Sequence, residues 1–363
     1  MRISSHAELP MPLAHTRDAT GRLGIEHPIV QGPFGGGLSS IELAACVSHM
    51  GGLGSYGAHM LSPDRIGDVV TALRGKTAAP FAINLWVSDH DPGGRNLSAD
   101  EFERAFALFE PWFRELGVAR PEMPESYHPS FALQVEALLD ARPPVFSFVF
   151  GIPESRILDE CRRLGIVTIG NATTIPEAEA LDAAGVDLIV ATGAEAGGHR
   201  PSFLQRAEDC LTGTFALVPM IVDRVRVPVI AAGGIADRRG VRAATALGAH
   251  AVQVGTAFLA CEESGTHPAH RERLFGTDAM QTTLTRSFTG RLARGIRNRW
   301  TDEMGHDPAR LPPFPVQGWF VGQLRSAAIA AGREDLVSLW SGQIAPNLKH
   351  RHAADLMAEL VCA

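Results

Sequence analysis

Eight short runs of mostly β-branched, apolar residues alternate with stretches in which apolar residues recur every three to four positions. The runs cover residues 28–31, 52–56, 80–87, 145–150, 166–170, 187–191, 228–232 and 251–255. Most are continuously apolar, which is typical of strands buried on both faces of a parallel sheet. Helical patterns at 39–50, 153–164, 175–184 and 237–247 lie between them, each followed by a glycine. Eight such units predict an α/β fold, a closed (β/α)8 TIM barrel.

Two stretches do not follow this alternation of strands and helices. They predict additions to a barrel that spans residues 20–262. Residues 88–142, after the third strand, contain Ser98 and Glu101 at capping-box spacing ahead of an aromatic stripe. We expect a helical insertion there, with a helix kinked or restarted at Pro111 and the stripe packed on the barrel. Residues 263–363 predict a helical C-terminal extension, with helical patterns at 318–331, 333–341 and 351–361. It would pack on the outside of the barrel or cover its mouth.

The amino-acid composition argues against some classes of binding partner. The 363 residues are 45% hydrophobic and 20% charged, as in a packed globular chain. The net charge is -7 and no block of five like charges occurs, so neither nucleic acid nor a membrane surface is an expected partner. The five cysteines are far apart, and no apolar run is long enough to span a bilayer. We therefore expect a soluble, cytoplasmic protein.

The ends of the predicted strands are rich in glycine, where a TIM barrel has its active site. Gln31, Gly32 and Pro33 open a glycine-rich loop after the first strand, and GAEAGGHR follows the sixth. A Gly-Gly pair follows the seventh predicted strand, and a Gly-Thr pair lies at the end of the eighth. The loops after these two strands form the usual phosphate site of this fold. Only two lysines occur, which favours a monophosphate held by backbone N–H groups. Sparse carboxylates and the absence of paired histidines at ligand spacing argue against a metal.

Two polar residues in these positions are candidates for chemistry. His199 follows Gly197 and Gly198 in a loop, where a neutral imidazole can accept a proton from a carbon acid. The alternative is a histidine that only hydrogen-bonds the ligand or the backbone. Asn84 closes the third predicted strand, where its amide can pair with the edge of a bound flavin ring or satisfy loop backbone.

The motifs QGPFGGG, PFAINL, GAEAGGHR, AAGGIADRRG and QVGTAFL, in this order, resemble the FMN-dependent nitronate monooxygenases, formerly called 2-nitropropane dioxygenases. The resemblance covers most of the chain and implies a flavin-binding barrel shared with enoyl reductases. It implies FMN contacts from Asn84, Thr192, Gly197, Gly234 and the run 253–256, with His199 as base or substrate-orienting residue. Together with the glycine-rich loops, the predicted FMN contacts are Gln31, Gly32, Pro33, Asn84, Thr192, Gly197, Gly198, Gly233, Gly234, Gln253, Val254, Gly255 and Thr256.

The chain departs from the family pattern at positions that bear on its substrate. Thr192 stands where many members have glutamine, and Val149 stands where they have the histidine of FHFG. Several members line the substrate pocket with tyrosines, whereas this chain has only Tyr56 and Tyr127. FMN binding is expected to survive these changes, whereas they bear directly on specificity for a nitronate.

The resemblance implies oxidation of nitronates or nitroalkanes with dioxygen to carbonyl compounds and nitrite. One alternative is an FMN-dependent NAD(P)H reductase of an enoyl thioester or quinone on the same fold. A second is a non-redox barrel that binds a sugar phosphate. The oligomeric state is left open, with a homo-oligomer one option.

Overall fold

The computed structural model describes residues 18–88, 90–91, 97–305, 307 and 309–362. Eight parallel strands form one sheet in the order β1-β9-β8-β6-β5-β4-β3-β2. They are β1 (Ile29–Gln31), β2 (Gly54–Gly57), β3 (Phe81–Trp86), β4 (Val145–Val149), β5 (Val167–Ala172), β6 (Leu188–Thr192), β8 (Val229–Ala232) and β9 (Ala251–Val254). A parallel bridge between Val30 and Leu53 joins the two ends of the sheet. The predicted TIM barrel is confirmed, and each predicted run contributes one strand.

One short helix, α1 (Ala19–Leu23), precedes β1, and the helices after the strands agree with the sequence pattern. They include α2 (Ile41–His49), α3 (Pro63–Lys76), α6 (Ser155–Leu164), α7 (Ile175–Ala184), α8 (Thr214–Val222), α9 (Arg238–Ala246) and α10 (Thr256–Leu259). Gly165 and Gly185 end α6 and α7 in the left-handed conformation, at φ 72° and 79°. A side chain there would be strained, which explains why a glycine closes each pattern.

The insertion contains α4 (Ala99–Glu115) and α5 (Phe131–Ala141). The predicted capping box is present, because the Ser98 hydroxyl accepts from the Glu101 N–H and the Glu101 carboxylate accepts from the Ser98 N–H. α4 continues through Pro111, so the expected restart at that proline does not occur.

The C-terminal extension contains α11 (Pro268–Phe275), β10 (Thr282–Thr285), β11 (Ala293–Ile296), α12 (Arg299–Met304), α13 (Val316–Ala330) and α14 (Ala353–Val361). α13 and α14 confirm two of the three predicted helices. The third, at 333–341, was wrong, because only a 3₁₀ turn forms at Glu334–Leu336. Trp340 pairs with Gly295 in an antiparallel bridge. The backbone groups of this segment therefore form hydrogen bonds with β11 instead of with one another in a helix.

The aromatic stripe of α4 packs mainly on the C-terminal extension, not on the barrel as expected. Phe109 is fully buried, and its ring stacks on Phe320 of α13 with 4.7 Å between ring centroids. Trp112 lies 4.8 Å from Trp300 of α12. The insertion and the extension therefore share a second hydrophobic core beside that of the barrel. Within the described part of the chain, no helix combines the length and apolarity needed to cross a membrane.

Candidate active site

A cavity of about 350 Å³ lies at the carboxyl ends of the barrel strands. The loops after the strands form its floor, and the insertion and the C-terminal extension cover it. Most predicted site residues line it: Gly32, Pro33, Asn84, Thr192, Gly197, Gly198, His199, Gly233, Gly234, Gln253, Gly255 and Thr256. The exceptions are Gln31 and Val254. The Gln31 amide bonds to the backbone of Ser55, and Val254 is fully buried in the barrel core.

The glycines at the strand ends fall into two groups. A Cβ atom on Gly197 would collide with the Gly342 backbone, and one on Gly233 would lie 2.9 Å from the Thr214 hydroxyl oxygen. These two glycines permit close packing of the protein on itself. By contrast, a Cβ on Gly255 would meet nothing within 4 Å, and one on Gly234 would come no nearer than 3.6 Å to another residue. Gly234 and Gly255 therefore border open space.

The loops after β8 and β9 have the donors that a phosphate needs. The backbone N–H groups of Gly234 and Gly255 donate no hydrogen bond to another described residue. The Thr256 hydroxyl accepts from the Gly342 N–H at 2.9 Å, which leaves its own proton to donate. An anion above these glycines would meet free N–H and O–H groups with no side chain in between.

The loop after β6, which carries His199, is held by buried polar contacts. Arg200 donates to the carbonyl oxygens of Cys210 at 2.6 Å and Thr192 at 2.5 Å. Both carboxylate oxygens of Glu195 accept from the Thr214 N–H, at 3.0 and 2.9 Å. Glu195, the main carboxylate at the strand ends, is thus occupied in fixing the loop.

His199 lies on β7 (Gly198–His199), which pairs with β11 so that His199 is opposite Ala293. Its Nε2 is 2.9 Å from the Thr289 hydroxyl oxygen. The Thr289 hydroxyl also lies 3.3 Å from the Arg291 carbonyl oxygen and accepts from the Arg291 N–H, so it can either accept from or donate to His199. The contact engages Nε2 and ties the imidazole to the segment after β10. Burial and the nearby Arg291 lower the pKa of His199 to about 3, which keeps the ring neutral near pH 7.

A ring cluster around Trp86 forms one wall of the cavity, and among its members only His199 was anticipated. His59 stacks on the Trp86 ring with 3.7 Å between centroids and 6° between planes. His199 contacts the same ring edge-on at 4.7 Å, and His128 packs on Phe314 at 5.3 Å. The only available sequence signal was that Trp86 lies two residues after Asn84, on the same side of β3.

These imidazoles lie close to position 149, where the chain has a valine in place of the histidine found in many family members. Val149 lines the cavity where the family resemblance places a histidine, yet His59 and His128 enter the same cavity from the loop after β2 and from the insertion. Burial is the main cause that lowers the pKa of His128 to about 4 and that of His59 well below its usual value. The cavity therefore contains three histidines, all neutral near pH 7.

A buried cation lies behind the cluster. Arg291 pairs with Asp91, and its guanidinium carbon is 3.5 Å from the Phe150 ring centroid and 4.2 Å from that of Phe314. Burial lowers the pKa of Arg291 to about 10, so it stays charged near neutral pH. Its positive charge helps to keep the three histidines unprotonated.

Two further polar residues face the cavity. The Asn84 amide nitrogen donates to the Ser147 hydroxyl at 3.0 Å, and the Thr192 hydroxyl donates to the Asn171 side-chain oxygen at 3.0 Å. Both are held in place by neighbouring strands of the barrel. Across the described residues, no group of three or more His, Cys, Asp or Glu side chains is arranged to hold a metal ion.

The sequence profile of the nitronate monooxygenases matches residues 17–362. The chain belongs to the nitronate monooxygenase family. A probable nitronate monooxygenase of Staphylococcus haemolyticus is 36% identical over 349 residues, which is 96% of each chain. One from Staphylococcus aureus strain Newman is 37% identical over 344 residues, covering 94% of this chain and 95% of that one.

Solved structures agree with this membership. Nitroalkane oxidase from Streptomyces ansochromogenes superposes with a TM-score of 0.85 at 34% identity, covering 93% of this chain and 95% of that one. FabK from Thermotoga maritima superposes with a TM-score of 0.72 at 29% identity, covering 94% of both chains. As a family member, the chain is an oxidoreductase enzyme, which sets aside the non-redox sugar-phosphate barrel.

Proposed function

We propose that the protein is an FMN-dependent enzyme that oxidises nitronates, and more slowly nitroalkanes, with dioxygen to carbonyl compounds and nitrite. The observation that carries this proposal is the neutral imidazole of His199, which lines the cavity at the strand ends and is held by Thr289. A neutral imidazole can accept a proton from a substrate or donate a hydrogen bond to an anionic one.

The residues at the strand ends fit FMN. Gly234, Gly255 and Thr256 offer free donors beside open space for the phosphate, and Asn84 and Thr192 offer polar atoms for the ring edge. The bound flavin would supply the electron transfer and the reaction with dioxygen. The protein would bind and orient the substrate against it and exclude bulk water.

The pKa of His199 favours nitronates over neutral nitroalkanes. A neutral nitroalkane must first lose its α-proton, whereas a nitronate is already an anion. A base whose conjugate acid has a pKa of about 3 removes a carbon-bound proton only weakly near pH 7. His199 would therefore mainly orient a nitronate by hydrogen bonding, and would serve as base only for the neutral form.

Replacing His199 by asparagine tests both roles. We expect turnover of a neutral nitroalkane to fall toward the lower end of the roughly 10²- to 10⁴-fold range for a lost general base, because His199 is a weak base. A preformed nitronate should retain much of its activity, and FMN should stay bound because the phosphate donors lie on other loops. Equal losses on both substrates would assign His199 to orientation alone. No loss on either would make the residue structural and remove the main support for the proposal.

The reductase alternative is tested in the same preparation. Anaerobic stopped-flow reduction of the bound flavin is followed with a nitronate and with NADH, side by side. We expect fast reduction by the nitronate. Fast reduction by NADH alone would replace the proposed function with an NAD(P)H reductase of an enoyl thioester or quinone.

A further inference from the structure

The C-terminal extension contributes to the cavity wall at several places, among them Arg325 of α13 and the residues Trp340, Ser341 and Gly342. We call residues 340–343 the 340–343 segment. Its first residue, Trp340, forms the bridge to β11, and the Trp340 carbonyl oxygen lies 3.0 Å from Nε2 of the buried His270. A carbonyl oxygen only accepts, so the imidazole donates this hydrogen bond. The start of the segment is therefore fixed within the extension.

The 340–343 segment joins the two parts of the candidate site. The Gly342 N–H donates to the Thr256 hydroxyl at 2.9 Å, beside the groups that we propose as phosphate donors. One residue later, the Gln343 N–H donates to the Glu195 carbonyl oxygen at 3.0 Å, in the loop that carries His199. Consecutive N–H groups of one segment therefore bind the loop after β9 and the loop after β6.

The segment packs against both loops without a gap. A Cβ atom on Gly342 would lie 2.9 Å from the Glu195 carbonyl oxygen and 3.0 Å from the Gly197 nitrogen and the Thr256 hydroxyl oxygen. A Cβ on Gly197 would lie 2.4 Å from the Gly342 nitrogen. Neither glycine has positive φ, so close packing is the reason for glycine at both positions. In such a close-packed region, a shift of the segment displaces both loops.

The segment also contacts His199 directly. The Trp340 ring centroid lies 5.2 Å from that of the His199 imidazole, and Trp86 contacts the same imidazole at 4.7 Å. Thr289 engages the imidazole through Nε2. The orientation of His199 in the cavity therefore depends on the Thr289 hydroxyl and on two indole rings, one of which belongs to the 340–343 segment.

We propose that Trp340 is a positioning residue for His199, and that the 340–343 segment couples the orientation of His199 to occupancy of the phosphate site. The inference rests on the proposed function, because the phosphate is taken to be that of FMN. The Thr256 hydroxyl can donate to a phosphate while it accepts from the Gly342 N–H, and hydrogen bonds in series strengthen one another. The stronger Thr256–Gly342 bond restrains the segment, and Trp340 restrains His199. The two sites thus share a coupling free energy.

The first test is the nitrogen-15 NMR signal of the His199 ring in holoenzyme saturated with FMN, assigned by its loss in His199→Asn. Thr256→Val removes the hydroxyl that accepts from Gly342. We expect FMN affinity to fall by roughly 10-fold and the His199 signal to change even at saturation. Thr256→Ser keeps the hydroxyl and should give the wild-type signal.

Gly255→Ala is the matched control, because its Cβ would enter the phosphate site without touching the 340–343 segment. It should weaken FMN binding and leave the His199 signal at saturation unchanged. A wild-type His199 signal in Thr256→Val, or an equal change in Gly255→Ala, would overturn the coupling.

A second set of variants tests Trp340 itself. Trp340→Leu removes the ring that contacts His199, so kcat for a neutral nitroalkane should fall by roughly 10-fold with KM unchanged, and the His199 signal should change. Trp340→Phe keeps an aromatic ring and should restore most of both. Trp112→Leu, in the second core, controls for loss of a packed indole and should leave both as in the wild type. Equal effects of the two leucine variants would overturn the positioning role.

Failure of the proposed function is distinguishable, because the NMR signal requires bound FMN but no turnover. If the wild type oxidises no nitronate, the Thr256 and Trp340 variants still decide the coupling by that signal. If the protein binds no FMN, titration with inorganic phosphate replaces it. A shift of the His199 signal in the wild type that is lost in Thr256→Val would support the coupling, and the absence of a shift in the wild type would overturn it.

Discussion

The Nε2 of His199 lies 2.9 Å from the Thr289 hydroxyl oxygen, and pairing of β7 with β11 holds the two segments together. The residues are 90 positions apart in the sequence. The contact engages one imidazole nitrogen and holds the ring in its orientation in the cavity. Thr289 is therefore a positioning residue for His199.

The Thr289→Val variant tests this role, because valine keeps the shape of threonine but lacks the hydroxyl. We expect kcat for a neutral nitroalkane to fall by about 10-fold, the value of one hydrogen bond, with a smaller effect on a nitronate. Nitrogen-15 NMR of the His199 ring should show a different ratio of its two tautomers from that of the wild type. Thr289→Ser restores the hydroxyl and should behave as the wild type. Identical tautomers and rates in the valine variant would remove Thr289 from the mechanism.

Gly255→Ala tests the phosphate site without straining the protein. Gly255 has a φ of -100°, and a Cβ there would touch no protein atom, so it would occupy only space for a ligand. We expect FMN affinity to fall by roughly 10- to 100-fold while the apoprotein melts at an unchanged temperature. Fluorescence of released flavin measures the first quantity and calorimetry the second.

The control for Gly255 is Gly75→Ala, an exposed site on α3 where a Cβ also meets nothing. It should retain FMN fully. If Gly255→Ala retains FMN equally well, the phosphate does not lie above this glycine.

The neutral histidines predict a pH dependence of stability. The folded protein holds the pKa of His199 at about 3 and those of His128 and His270 at about 4, while unfolded histidine titrates near 6.5. Below pH 6.5 the unfolded chain binds more protons, so the free energy of unfolding decreases as pH falls toward 4. Each such histidine contributes a slope of up to about 1.4 kcal/mol per pH unit.

Urea unfolding at several pH values measures this slope. His128→Gln should reduce it by the contribution of about one proton. A free energy of unfolding that is constant between pH 7 and pH 5 would contradict the assignment of buried, neutral histidines.

The second core predicts that the insertion and the extension stabilise each other. Phe109→Ala removes a fully buried ring that stacks on Phe320, and should lower the free energy of unfolding by about 3–5 kcal/mol. Phe215→Ala, at a side chain that is 77% exposed, should change it by less than about 0.5 kcal/mol. Comparable effects at the two sites would show that the α4 contact contributes little.

The barrel was predictable because most of its strands are buried on both faces and have continuously apolar sequences. The failure at 333–341 has a different origin. A nine-residue pattern is compatible with a helix until Gly295 of β11, just beyond the residues paired with β7, offers Trp340 another partner. Local pattern cannot show such long-range pairing.

The residues of the candidate site also fall into two groups: those that the sequence predicts and those that depend on long-range packing. Gly32, Gly233 and Gly255 directly follow barrel strands and His199 lies in the segment after β6, at the end of the barrel where this fold has its active site. His128 and Arg325 lie in segments whose place over the barrel depends on the packing of α4 against α13, and nothing local marks them. Gln31 stands at a strand end, yet its amide bonds to the backbone of Ser55 behind the cavity wall.

The floor and the cover of the cavity come from different parts of the chain. Gly234 and Gly255 belong to barrel loops, whereas His128 and Arg325 belong to the insertion and the extension. Mutations that alter substrate choice can thus accumulate in the cover during evolution while the phosphate-binding floor is inherited unchanged. Related enzymes that share the glycine motifs can therefore act on unlike substrates, and sequence comparison of the cover alone is the better guide to which substrate each one takes.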